Sequence, residues 1–239
     1  MKIAWLGHHS YRITLGSGLK VITDPYVSPL FNQFLMGDLK YDPLDETADI
    51  VTISHDAHSD HNNAAAIKGN PEIVRGAEIR GSSKKVEGIE FKALACYHDS
   101  VGGKMHGENN MLSFELDGMR ICHNGDLGHE LSPDQVAELG KIDVLLLAVG
   151  YPGRLGRKAV HFRIDTNIAD SLYYHLKPKV ILPGHYSNPK CTFKFAIVDE
   201  FLEEKRGVIR LDEKGISEVE LKKEELPEST QIMVLKSLY

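Results

Sequence analysis

The chain has 239 residues, 42% hydrophobic and 26% charged, with a formal net charge of −6. That length suits one large domain spanning 1–239, and an acidic balance with no basic stripe argues against a nucleic-acid partner. No apolar run is long enough to span a bilayer, and the start, MKIAWLGHHSYRI, lacks the charged-then-apolar order of a signal peptide, which predicts a fold beginning near Met1. Three cysteines, Cys96, Cys122 and Cys191, are widely spaced and lack a CxxC, which disfavours disulfides and a thiolate zinc site and fits a reducing cytoplasm.

In chain order, Lys2–Leu6 and Tyr11–Leu15 read as strands joined by a GHHS turn, and Leu19–Thr23 as a third strand ended by Asp24-Pro25. Residues 26–48, with Pro29, Gly37 and Pro43, read as an irregular segment that could cover a site. Ile50–Ser54 suits a short buried strand. It leads into SHDAHSDHNN and a short AAAIK helix. Ile73–Arg75 and Ile89–Leu94 read as strands, the latter leading to Tyr97-His98-Asp99 and the Gly-rich stretch VGGKMHGENN. Asp117-Gly118 between Met111–Leu116 and Met119–His123 predicts a type I′ hairpin, because glycine tolerates the positive φ required there. Ser132-Pro133 opens a helix to Leu139. Asp143–Val149 and Lys179–Leu182 read as strands, Ile164–His175 and Thr192–Lys205 as helices, the last stopped by Gly207. Short strands fill the tail. The alternation of types gives the α/β class.

Twelve histidines are the anomaly. His55, Asp56, His58, Asp60 and His61 fall within seven residues, after one predicted strand and before a predicted helix. Imidazole nitrogen and carboxylate oxygen are the ligands of catalytic zinc, iron or manganese. Solvation alone accounts poorly for that density. Asp24, His98, Asp126 and His185 each follow another strand end. Each alone would more often be a turn or surface residue, but together they place donors at one rim of a sheet. No GxSxG is present to offer a serine nucleophile.

The segments WLGHHSYRI, ITDPY, SHDAHSDHNN, YHDSVGG, RICHNGDLGH, VLLLAVG and VILPGHY together resemble, in order and over residues 1–190, the metallo-β-lactamase superfamily. The resemblance is to its branch of small bacterial and archaeal metal-dependent hydrolases, with the ascorbate-6-phosphate lactonases and N-acyl phosphatidylethanolamine phospholipase D. It implies a four-layer αββα sandwich, two β-sheets face to face with helices outside and metals at one edge. In the family's HxHxDH motif, the last three ligands match His58, Asp60 and His61; the later ligands match His98, the bridging Asp126 and His185. Asp56 stands where the first histidine belongs, and His55 lies one residue earlier. Either the loop carries an extra residue and His55 is the ligand, the favoured reading, or Asp56 replaces it and favours manganese or iron.

By that resemblance one ion is held by His55 (or Asp56), His58, His98 and Asp126, and the other by Asp60, His61, Asp126 and His185. His8, Asp24 and His129 stand behind them to orient the imidazoles. His9, His106, His123 and His161 stay unassigned, with His106 and His161 offered as pocket-lining residues. The implied cofactors are two divalent ions, zinc foremost. The implied reaction is attack of a metal-activated water on a small ester, lactone or phosphodiester, with Asp60 orienting that water and available to take its proton. Arg154, Arg157, Lys158 and Arg163 could receive an anionic substrate. The alternatives are a di-iron redox protein on the same scaffold, to which Asp56 would contribute, and a metal-dependent nuclease, which the charge disfavours. Homo-oligomerisation stays open.

Overall fold

The computed structural model describes residues 1–33, 35–150 and 168–239. In chain order the elements are β1 (Lys2–Gly7), β2 (Ser10–Thr14), β3 (Lys20–Thr23), β4 (Leu30–Asn32), β5 (Gly37–Leu39), β6 (Ile50–Ile53), β7 (Glu72–Arg75), β8 (Ser82–Val86), β9 (Ile89–Tyr97), β10 (Glu108–Leu116) and β11 (Met119–His123). There follow α1 (Pro133–Leu139), β12 (Val144–Ala148), α2 (Ile168–Leu176), β13 (Val180–Gly184), α3 (Val198–Leu202), β14 (Val208–Arg210), β15 (Glu218–Glu220) and β16 (Gln231–Val234). One sheet has the order β15-β1-β2-β3-β6-β7, the other β14-β16-β13-β12-β11-β10-β9-β8, and β4 pairs with β5 alone. The first sheet turns from antiparallel to parallel between β3 and β6. The second does so between β11 and β12. The α/β class expected from sequence is the class observed.

Alternation along the strands of the first sheet sets its two faces. Ile3, Trp5, Val21 and Ile50 join Phe91, Met111, Leu145 and Ile181 of the second sheet in the larger core. Their neighbours Leu6, Ile22 and Val51 point the other way, into a second cluster with Tyr26, Leu39, Tyr41, Ala64 and Phe193. That outer face is covered by aromatic loop residues and a single 3₁₀ turn, Ala64–Ala66, where AAAIK suggested a helix. The helices α1, α2 and α3 bury Leu139, Leu172 and Phe201 in the larger core. No described helix is long and apolar enough to cross a membrane.

Several boundaries moved for identifiable reasons. The 26–48 segment contains the β4–β5 hairpin, which docks on residues 192–194 through Thr192 N–H to Asp38 O and Lys194 N–H to Leu35 O. Those amides are thereby committed outside a helix, so the helix expected over Thr192–Lys205 shrinks to Val198–Leu202. Gly207 lies beyond its cap, at φ 72°. β8 was invisible because SSKKV is mostly exposed and does not alternate. Of the expected helix from Ile164, the structure describes Ile168 onward. Two local expectations hold: Asp117 and Gly118 take φ 47° and 73°, and Ser132 caps α1 in a reciprocal pair with Gln135 behind Pro133.

Candidate metal centre

Six loops leaving strand ends meet at one rim. His8 and His9 come from the β1–β2 turn, Asp24 follows β3, residues 54–61 follow β6, His98 follows β9, Asp126 follows β11 and His185 follows β13. His8, Asp24 and His185 all carry positive φ (48°, 36° and 54°), a conformation that side chains rarely adopt and that functional turns retain. The His8 carbonyl accepts from the Trp5 indole at 3.0 Å and from the His185 amide at 2.8 Å, which ties the first and last of these turns together. Gly125, at φ 53°, brings its backbone so close to Asn109 that a Cβ there would lie 2.3 Å from the Asn109 Oδ1.

The expected ligands form two groups around one carboxylate. His55, His58 and His98 each offer a nitrogen within 4.8 Å of the others, as do His8, His61 and His185. Asp126 stands between. Its Oδ2 lies 3.0 Å from His98 Nε2, 3.3 Å from His61 Nε2 and 3.7 Å from His55 Nε2, and its Oδ1 lies 3.4 Å from His185 Nε2. Asp60 Oδ2 is 3.3 Å from His8 Nε2 and 3.9 Å from His61 Nε2. The structure thus brings together His55, His58, Asp60, His61, His98, Asp126 and His185.

Asp56 stands apart. It is exposed and ion-paired with Arg75, while His55 is buried. The supporting residues divide. Asp24 accepts from Ser54 N–H at 2.7 Å and lies 3.3 Å from His61 Nδ1, where it can fix that ring. His8 lies closer than expected, in the same nitrogen group as His61 and His185. His129 does not reach a candidate ligand: its Nε2 accepts from the Tyr97 amide at 3.1 Å, one residue before His98. Arg154, Arg157, Lys158, His161 and Arg163 lie outside the described residues.

Burial and charge set the protonation states. Burial pushes His55 and His185 down to about 3 and lowers His58, so all three imidazoles are neutral, the state that binds a metal. Burial works against a charged His61 as well, but Asp126, Asp24 and Asp60 outweigh it and lift this histidine to about 10. Burial would raise Asp126, yet His185, His61, His98 and His55 hold it well below the ordinary carboxylate range. Among the described residues, His55 Nε2, His98 Nδ1 and Asp126 Oδ1 are buried without a hydrogen-bond partner. Buried polar atoms are rarely left so. Neutral imidazoles gathered around a carboxylate, with the His55 Nε2 and Asp126 Oδ1 lone pairs left unmet, are what a cation-binding centre requires, and a divalent ion would displace the proton that His61 carries; the residues fit a divalent metal. The cysteines take no part: all three are buried free thiols, pushed up by burial.

Sequence reasoning passed over the scaffold of the site. Asn109 Oδ1 accepts from the Asp126 amide at 3.0 Å, and Asn110 Nδ2 donates to the Ser54 carbonyl at 3.0 Å. Both had been read as the end of a Gly-rich loop, whereas β10 begins at Glu108 and buries them. The signal was the pair of amides directly before an apolar strand. His123 Nε2 bonds the His9 carbonyl at 3.0 Å, joining the two sheets beneath the site.

The chain matches the family model of the β-lactamase superfamily domain over residues 2–185. It is 25% identical over 213 residues to a UPF0173 metal-dependent hydrolase of Pelotomaculum thermopropionicum, covering 78% of this chain and 85% of that protein. It is 27% identical over 246 residues to another of that group from Nanoarchaeum equitans, covering 94% and 98%. Among solved structures, a protein of Thermotoga maritima assigned to the zinc-dependent hydrolases of the metallo-β-lactamase superfamily superposes with a TM-score of 0.69 at 31% identity, covering 98% of each chain.

Proposed function

This chain belongs to the metallo-β-lactamase superfamily and is a metal-dependent hydrolase, and we propose that it cleaves a small ester, lactone or phosphodiester with two divalent ions, zinc foremost. His55, His58, His98 and Asp126 hold one ion; Asp60, His61, Asp126 and His185 hold the other. The observation that carries this reading is the position of Asp126, whose single carboxylate meets histidines of both groups: Oδ2 faces His98, His61 and His55, and Oδ1 faces His185. When bound, two such ions supply a hydroxide-like nucleophile near neutral pH and neutralise the charge that develops on the attacked oxygen.

The protein's own groups do the rest. Asp60 orients the attacking water and is available to take its proton. It is held ionised below the usual carboxylate range because hydrogen bonding to His8 and the charge of His61 outweigh its burial. Asp24 fixes the His61 ring from its Nδ1 side. Phe195 stacks on His185 at 4.4 Å between ring centroids and restricts that imidazole to one orientation. An oxygen-rich di-iron redox site would draw on Asp56, and its pairing with Arg75 counts against that reading.

The test is metal content of the purified protein together with a screen of esters, lactones and phosphodiesters. About two equivalents of zinc, with hydrolysis that a chelator removes and zinc restores, supports the reading. Stoichiometric iron with a visible absorption band and no hydrolysis overturns it.

A further inference from the structure

His9 is fully buried, and among the described residues neither of its ring nitrogens has a hydrogen-bond partner. A neutral imidazole has one N–H to donate and one lone pair to fill, so this ring is left unsatisfied at both ends. Leaving buried polar atoms unmet costs stability, and native structures rarely do so. Among the described residues its nearest ring neighbour is His123, 4.1 Å between centroids. His123 cannot answer it: its Nε2 is engaged with the His9 carbonyl and its Nδ1 accepts from Gly125 N–H at 3.2 Å. Asp24 lies within 4.8 Å of a His9 nitrogen in a group with His123, but its oxygens already accept from Ser54 N–H and Oγ–H and face His61.

The other direction open to the ring is the metal rim. One His9 nitrogen lies within 4.8 Å of ligand atoms of both His61 and Asp126, so that a small inward movement brings all three to the roughly 2 Å donor distance of a common ion. Gly184 leaves the room for it: a Cβ there would come within 3.3 Å of His9 Cδ2.

We propose that His9 is an additional metal ligand, closing from the floor of the site the coordination of the ion held by His61, Asp126, Asp60 and His185. The inference rests on the two-ion reading above. It makes the two positions unequal. The His55–His58–His98 position has one carboxylate and three imidazoles. The inner position becomes five-coordinate, with two carboxylates and three imidazoles, and holds its ion more tightly.

The experiment compares wild type with His9→Ala and His9→Leu, the latter filling the space without offering a ligand. Metal retained after graded chelator dialysis, the visible spectrum of the cobalt-substituted protein, and Tm with and without metal are measured. Loss of the His9 ligand should weaken one of two equivalents by at least about tenfold, the lower end of what removing even an outer partner of a ligand costs. The cobalt bands should intensify as five-coordination gives way to four. Metal-free His9→Leu should melt no lower than the metal-free wild type, since an orphaned imidazole has been replaced by an apolar group, while its rise in Tm on metal loading should shrink. Two equivalents held with wild-type affinity and an unchanged cobalt spectrum in both variants would overturn the proposal. If wild type itself binds a single ion, the two-ion reading fails; His9 ligation then stands if that ion's cobalt spectrum changes in the variants, and falls if it does not.

Discussion

Asp99 and Asp126 both sit just past a strand end of the second sheet, and the protein treats them in opposite ways. Asp99 accepts four backbone amides, from Val101 and Gly103 on Oδ1 and from Met105 and His106 on Oδ2, at 2.8–2.9 Å. It closes the Gly-rich loop on itself, and its hydrogen-bonding capacity is spent. Asp126 faces imidazoles instead, and its Oδ1 is buried with no hydrogen-bond partner among the described residues. Its own amide is tied to Asn109, so the side chain is held out of contact with the backbone it follows. In sequence both are acids within three residues of a histidine. What separates a carboxylate that builds a loop from one that builds a site is what remains unsatisfied after folding.

The contrast breaks most visibly at Asp126. Asp126→Ala should lose both ions, and hydrolysis should fall to background, as read by metal per chain and turnover of whichever substrate the screen yields. Retention of two ions with full activity would remove the bridging assignment. His55→Ala comes next. It should lose about one equivalent and most activity, because one position keeps only His58, His98 and Asp126. An unchanged metal count in His55→Ala would take the first ligand away from this residue.

Asp99→Asn probes the other half of the comparison. It should leave metal content unchanged at neutral pH and cost about 1–3 kcal/mol of stability, the range for weakening charged hydrogen bonds that an amide cannot replace in full; chemical denaturation of the metal-free proteins, into which ligand protonation at low pH does not enter through metal loss, checks the stability. The pH dependence has a definite sign. Burial would raise this carboxyl, but the amides of His106, Met105, Val101 and Gly103 outweigh it and hold it at about 2, against an ordinary value of 3.8. A depressed folded value means the stabilisation is fully present above about pH 4 and is lost as pH falls toward 2. Wild type should therefore lose its advantage over Asp99→Asn across that window, and a gap that persists at pH 2 would show that packing rather than charge supplies it.

The sequence made the strand–loop grammar of the site legible, because each donor follows a run of apolar alternation: Val51–Ile53 before His55, Ile121–Cys122 before Asp126, Ile181–Leu182 before His185. Burial of those runs then places the donors at one rim without further information. What stayed hidden depends on tertiary contacts. Asn109 and Asn110 look like loop residues until Arg80 and Ser54 are seen to engage Asn110 and the Asp126 amide to engage Asn109. His9 looks like one more turn histidine until neither of its ring nitrogens is found hydrogen-bonded among the described residues. The irregular 192–197 segment has apolar spacing that also fits a helix, and the β4–β5 hairpin, itself masked by Pro and Gly, decides against one. Periodicity reports which residues are buried; it does not report which buried atoms find partners.

The smallest effect belongs to Asp56, and it bears on how the 55–61 loop is built. Asp56 occupies the place of the family's first histidine, yet its side chain is 43% exposed and pairs with Arg75, itself 31% exposed. A surface pair of this kind contributes about 0–1 kcal/mol. Asp56→Ala should thus shift Tm by no more than a few degrees and leave the metal count and hydrolysis at wild-type levels. The loop then reads as one residue longer than the family's, with the added length between His55 and His58 taken up as an outward turn and the ligand kept at His55. Metal lost in Asp56→Ala but kept in His55→Ala would reverse that geometry. An oxygen would then replace an imidazole at the first position, and the preference would move from zinc toward manganese or iron.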